Sequence, residues 1–218
     1  TAGEWDYQDS YQFNENWAEL LGWYISEGHE SKRSLAVEIY QSLGANPAKV
    51  DRIRELLKAT ESEWAEAVYA RVFQGRETQQ SAFRITGYAA ARLRELAPGK
   101  LLRPFVLQWS KAATAALMKG LIDGDGHMRS DGRASFIQKD LGTANIVQAL
   151  AVRLGWSAAL RPRTGMWTVY FTKHDRRSLR GTSGAGACLE TKPYSGVIWC
   201  PRTQDGTWVA RRNGYVFI

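Results

Sequence analysis

Met118-Lys119-Gly120-Leu121-Ile122-Asp123-Gly124-Asp125-Gly126-His127 is an apolar run with helical spacing that ends abruptly in two carboxylates, separated and followed by glycine. A second copy stands upstream as Leu20-Leu21-Gly22-Trp23-Tyr24-Ile25-Ser26-Glu27-Gly28-His29. Gly22 and Gly120, Glu27 and Asp125, and His29 and His127 keep one constant offset, 120 − 22 = 98 residues, so the chain reads as two related halves. Gly22 and Ser26 are four apart, as are Gly120 and Gly124, and each pair lies on one helix face where two backbones can approach closely. Close approach would set Glu27 and Asp125 side by side at the end of the helix pair, where two unpaired carboxylates repel. A hard divalent cation relieves that repulsion. Oxygen donors and water suit Mg²⁺ better than Zn²⁺, for which the chain lacks His/Cys clusters. Two amphipathic core helices with capping acids would account for the same residues with no chemistry at all.

The chain has 218 residues, which suits two domains of about 100 residues or a single larger one, and the repeat favours two. Lysine and arginine number 29 against 22 acids, a formal charge of +7 with a pI near 9.5, which fits a polyanionic partner without proving one. Cys188 and Cys200 are the only cysteines, with no metal-type spacing and no signal peptide ahead of them, so a reduced compartment and an intracellular, soluble protein are expected. No apolar run approaches the roughly 20 residues that cross a bilayer.

Thr1 to Asn16 is polar and aromatic without a clear period and reads as a lead-in, with Asn16 the expected cap of the first motif helix. After Gly28, Ser34 to Gln41 alternates apolar and polar like a half-buried strand. Pro47 opens a helix through Thr60, with Val50, Ile53, Leu56 and Leu57 on one face. Glu63 to Phe73 and Ser81 to Gly87 read as strands around a Gln74-Gly75-Arg76 turn, and a helix over Tyr88 to Leu96 stops at Pro98-Gly99. The second half repeats the order with a strand over Ala134 to Lys139 and a helix over Thr143 to Leu154, Gly155 its C-cap. A hairpin of Ser157 to Arg163 and Met166 to Lys173 follows, around Thr164-Gly165. Trp23, Trp64, Trp156 and Trp167 read as core or sheet residues, and Asp123 as an accessory acid.

The two copies resemble the LAGLIDADG homing endonuclease family in its single-chain, two-motif form. The second copy matches closely, with Lys119 in the usual alanine place and Gly124 in the other. The first keeps the leucine, the packing glycine, the terminal acid and the last glycine, but has Ile25 where the family often has an acid and Glu27 where aspartate is commoner. The resemblance implies an α+β fold of two pseudo-symmetric αββαββα halves forming a DNA-binding saddle, residues 1–110 and 111–180, with a tail over 181–218. It further implies a monomeric, site-specific double-strand DNA endonuclease that uses Mg²⁺, with Mn²⁺ or Ca²⁺ substituting for binding. The target would be long and asymmetric, and the cut staggered with 3′ overhangs.

On the same resemblance, Glu27, Asp125 and the backbone of Ser26 and Gly124 would hold the metal. His29 and His127 would be strand-start residues near phosphate. Lys100, in Pro98-Gly99-Lys100-Leu101-Leu102-Arg103-Pro104, matches a family lysine that projects towards the cleavage centre, where a cation stabilises the pentacoordinate phosphate or organises the attacking water. Lys192 is its candidate counterpart in the second half, with Lys173 next. Arg71, Arg84, Arg161, Arg163 and Lys173, on or beside predicted strands, are the candidate contacts to duplex DNA, although a solvated strand face carries such residues in any case. An intron RNA maturase and a non-cleaving DNA-binding protein are the alternatives on this scaffold.

Arg176 to Arg180 and Gly181-Thr182-Ser183-Gly184-Ala185-Gly186-Ala187 read as a basic-flanked linker. Beyond it, Tyr194 to Cys200 and Gly206 to Ile218 read as β-strands joined by a turn at Gln204-Asp205-Gly206. This C-terminal β-hairpin extension resembles the C-terminal splicing block of inteins. The chain departs from such blocks, since it ends at Ile218 rather than in a terminal asparagine and nothing before Glu15 supplies an N-terminal splicing block. As written it is not expected to splice. An intein remnant, a trimmed chain and a hairpin that adds DNA contacts all fit, and a plain sheet extension needs no function.

Overall fold

In the computed structural model, which describes residues 13–73, 75–172, 192–198, 201–204, 206 and 208–217, the motif copies become two helices at equivalent places in two successive halves. The first half runs α1 (Glu15–Glu27), β1 (Gly28–Glu30), β2 (Val37–Ser42), α2 (Pro47–Ala59), β3 (Glu63–Phe73), β4 (Arg76–Thr86) and α3 (Gly87–Leu96). Short 3₁₀ turns at Pro98–Lys100 and Pro104–Gln108 lead into α4 (Lys111–Asp125), β5 (Gly126–Met128), β6 (Arg133–Gln138), α5 (Leu141–Arg153), β7 (Ser157–Arg163) and β8 (Met166–Thr172). The helix expected to close the second half falls on residues outside the described ones, as do Lys173, Cys188 and Cys200. Two further strands, β9 (Ala210–Arg212) and β10 (Tyr215–Phe217), complete the described chain.

Local chemistry sets the boundaries. The Asn14 side chain accepts from the Trp17 N–H at 3.1 Å and caps α1, so the cap is Asn14, and Asn16, the expected one, lies inside the first turn. Ser110 and Asp140 cap α4 and α5 in the same way. Strand β4 begins at Arg76, five residues before the expected Ser81. Its polar start hides it from a reading by alternation, but the backbone ladder with β3 runs unbroken to the Phe73–Arg76 pair. In the tail, Tyr194 to Ile198 forms no strand, and the hairpin turns at Asn213-Gly214 rather than at Gln204-Asp205-Gly206. Asn213 and Gly214 both have positive φ, 52° and 79°, the conformation that a two-residue type I′ turn requires.

The two motif helices pack through their small residues. A Cβ on Gly22 would stand 2.6 Å from the Leu117 carbonyl oxygen, and one on Gly120 would strike the Glu19 carbonyl. A Cβ on Gly124 would collide with the Ser26 side chain, whose hydroxyl donates back to the Gly22 carbonyl at 3.0 Å. Around this seam one continuous core gathers Leu20, Trp23, Leu117 and Leu121 with Ile39 and Phe83 of the first sheet and Phe136 and Phe171 of the second. Glu19, only 3% exposed, ties the seam together through ion pairs to Arg52 of α2, at 2.7 Å, and Lys119 of α4. Burial pushes its carboxyl up, but hydrogen bonds from Arg52 and Lys119 more than offset this and leave it below the usual carboxylate range.

Both sheets are antiparallel, in order β1-β2-β4-β3 and β5-β6-β8-β7-β10-β9. Because paired residues share a face, the register sorts every side chain. Val37, Ile39, Phe83, Ile85 and Trp64 point at the helices. His29, Glu38, Arg84, Tyr40, Tyr69 and Arg71 point the other way. In the second sheet the corresponding outer face carries His127, Ile137, Tyr170, Arg161 and Arg163, extended at its edge by Tyr215 and Arg212.

Candidate functional site

Helices α1 and α4 both end in a carboxylate followed by glycine, and the close seam brings those ends together. Glu27 is held above its ordinary carboxylate range by burial, against the opposing charges of Lys100 and Lys49. Asp125 is pushed up to about 6 by burial and then by the charge of Glu27, against Lys100. Burial raises both acids, and Glu27 raises Asp125 further, so the nearby lysines do not fully compensate the pair. Solvent reaches Asp125 while protein atoms crowd it, which leaves its ionised form incompletely hydrated.

Two lysines finish the helix ends. Lys100 Nζ donates to the Ser26 carbonyl at 3.1 Å and Lys49 Nζ to the Asp123 carbonyl at 2.6 Å. Each ammonium thus meets the negative end of a helix dipole beside an acid. Burial pulls Lys100 below the ordinary lysine range, while Asp125, Glu27 and Glu30 oppose that shift. Lys49 was not visible to motif reasoning. One signal points to it, because α2 has no acid in its first turn and places a cation there, where the dipole disfavours one.

The other expected residues are distributed as follows. Lys192 is exposed and is not among the charges acting on Glu27 or Asp125. Asp123 pairs with Lys119 at 3.2 Å, which occupies its carboxylate. Arg71 lines an open recess of about 360 Å³ with Ser26, Glu27, Gly28, Tyr40 and Gln80, so one outer-face cation adjoins the acid end directly. Arg84 faces Glu38 at 3.9 Å. Arg161 donates to the Tyr215 hydroxyl and lies 5.1 Å over its ring, while Arg163 is exposed.

The donor set is that of a hard cation, two carboxylates with main-chain carbonyls beside them. Among the described residues no group of three or more His, Cys, Asp or Glu side chains could hold a metal ion. A cation at this centre would therefore complete its shell with carbonyls, water or a phosphate oxygen.

Paired acids at the junction of two glycine-seamed helices, flanked by two antiparallel sheets with cationic outer faces, define a class of α+β protein built on internal two-fold pseudo-symmetry. Residues 112–183 match the family model described as a LAGLIDADG-like domain. The fold is similar to that of I-DmoI in complex with DNA and Mn, with a TM-score of 0.53 at 13% identity over 72% of this chain and 89% of that one. It is similar to I-WcaI bound to its DNA recognition sequence, at 0.52 and 11% over 77% and 80%. The N-terminal LAGLIDADG domain of DUF199/WhiA gives 0.52 and 15% over 72% and 74%. At such identities the likeness is one of fold. The protein thus has the LAGLIDADG fold, and the match to the family model falls on its second half and the residues just beyond it. A curated relative, an A-type ATP synthase component of Methanopyrus kandleri, is 38% identical over 74 residues, which are 34% of this chain and 7% of that protein's length. Among the described residues no helix is long and apolar enough to cross a membrane.

Proposed function

We propose that the protein is a site-specific endonuclease for double-stranded DNA, a monomer whose halves each address one arm of a long asymmetric target. The observation that carries this reading is the meeting of Glu27 and Asp125 at the end of the seam, between two outward sheet faces that carry Arg71, Arg84, Arg161 and Arg163. Structures of I-DmoI with DNA and Mn, Ca or Mg support a divalent cation on this fold. Mg²⁺ is the proposed ion. Glu27, Asp125 and the carbonyls of Ser26 and Gly124 would hold it, the Ser26 oxygen keeping a lone pair free beside its bond from Lys100. When bound, the ion supplies a polarised phosphodiester and a nucleophilic water for in-line attack. Lys100 and Lys49 set fixed positive charge where the attacked phosphate gathers negative charge, and need no reorganisation to do so. A staggered cut with 3′ overhangs belongs to the same reading.

Selection of cleaved sites from a randomised duplex library in Mg²⁺ or Mn²⁺, followed by end sequencing, yields the target and the stagger. On that target Glu27→Gln or Asp125→Asn is expected to lower strand cleavage by roughly 10³-fold, the scale of several kcal/mol of charge stabilisation, while duplex binding in Ca²⁺ persists. Full cleavage by either variant overturns the assignment. The second reading, a DNA-binding protein that does not cut, draws on the LAGLIDADG domain of DUF199/WhiA and on Ile25 and Glu27, which depart from the usual first motif. It predicts duplexes that are bound and left intact. The match to 7% of a longer protein supports a module housed in a host chain, the arrangement an intein would have.

A further inference from the structure

We infer that Glu30, at the end of β1, is the positioning residue for Lys100. The inference rests on the reading that Lys100 serves phosphodiester hydrolysis. Lys100 stands in a turn in which it and Gly99 both have φ of 64°. A left-handed non-glycine residue persists only where its surroundings fix it. Beside the turn's own bond from the Lys100 N–H to the Ala97 carbonyl at 2.9 Å, a carboxylate braces this one. Glu30 Oε1 accepts the Gly99 N–H at 3.0 Å and the Tyr24 hydroxyl, and Glu30 Oε2 pairs with Arg94 at 3.3 Å. Arg94 is itself tied to the Ser34 carbonyl at 3.1 Å.

The anchoring runs through the same helix that carries the acid. Tyr24 is fully buried one turn before Glu27 on α1, so the Lys100 turn hangs from the element that ends in Glu27. Glu30 thereby sets where the ammonium lies relative to the carboxylates. The carboxylate is not repeated in the second half, where Met128 stands at the position equivalent to Glu30.

The test is a double-mutant cycle on the duplex that the wild-type chain cleaves, read as single-turnover rate and, separately, as dissociation constant in Ca²⁺. Glu30→Ala should lower the rate roughly 10- to 100-fold with binding changed less than about twofold, since a displaced ammonium costs transition-state stabilisation only. Glu30→Gln keeps the acceptor for Gly99 and Tyr24 and should recover most of the loss. In a Lys100→Met background, Glu30→Ala should cost less than about twofold. Additive losses in the double variant, or a rate loss matched by weakened binding, overturn the positioning role while leaving the nuclease reading intact. A wild-type chain that cuts no duplex, or a Lys100→Met variant as fast as wild type, removes the underlying reading and the positioning role with it. Should Glu30→Ala fail to fold, Arg94→Met releases the same carboxylate from the opposite side and is held to the same cycle.

Discussion

The two acid ends are built from equivalent positions and finished differently. On the first, the charges of Lys100 and Lys49 both act on Glu27, which lines a recess with Arg71, and the Glu30–Tyr24–Arg94 group braces the neighbouring turn. On the second, Asp125 feels Lys100 alone among the lysines, Lys49 holds only the Asp123 carbonyl, the Asp123 carboxylate is occupied by Lys119, and Met128 replaces the brace. Among the described residues the sheets differ in the opposite sense, four strands in the first and six in the second, where β9 and β10 of the tail extend the edge. The repeat therefore supplies a symmetric frame, while cations and edge strands make the halves unequal.

The largest effect that probes this inequality is expected at the lysines. Lys100→Met should reduce cleavage by about 10²-fold, the usual cost of one fixed charge donor, and Lys49→Met by about tenfold. Equal losses would mean that the two cations serve the centre alike and would erase the distinction. Next come the seam glycines. Gly22→Ala and Gly120→Ala should each destabilise the fold by about 1–3 kcal/mol in denaturant titrations, because the new methyl meets backbone rather than a movable side chain. A neutral result would show that the helices can separate cheaply, and the crowding of the acids would then need another cause.

A smaller effect is expected from protons. Asp125 titrates near 6 in the fold against an ordinary 3.8, so the folded state binds its proton more tightly. The stability this gives is complete below about pH 4 and is lost as pH rises through 6. Without divalent cation, the melting temperature should therefore carry a downward component between those limits, and Asp125→Asn should remove it. Mg²⁺ should restore stability above pH 6, where the carboxylate is free to bind. Smallest of all, Arg161→Ala and Arg71→Ala should each flatten the salt dependence of duplex binding by about one unit of slope. Unchanged slopes would take those arginines out of the phosphate interface.

Much of this architecture could be read from the chain. Helix periodicity, strand alternation and the constant offset were enough for the helices and the longer strands, the short strands β1 and β5 came only with the family resemblance, and the small residues of the motifs were enough for the seam. The misses have separate causes. Strand β4 starts among polar residues because a solvent-facing ladder needs backbone pairing, not apolar alternation. The Asn14 cap was displaced by two residues, within the usual uncertainty of helix ends. The hairpin in the tail turns at Asn213-Gly214, a dipeptide with the right chemistry overshadowed by a nearby Asp-Gly. Lys49 and Glu30 escaped because neither lies in a motif, and each acts across a long stretch of sequence on an atom of another element.

From the sequence alone come the two halves, the glycine seam and the acid at each helix end, because periodicity, spacing and residue size are local properties that survive without coordinates. Tertiary structure alone brought Lys49 to the acid ends and Glu30 to the Lys100 turn. Lys49 reaches Asp123 across 74 residues and Glu30 reaches Gly99 across 69, and such meetings depend on how strands and turns fold back on the seam, which no local pattern encodes.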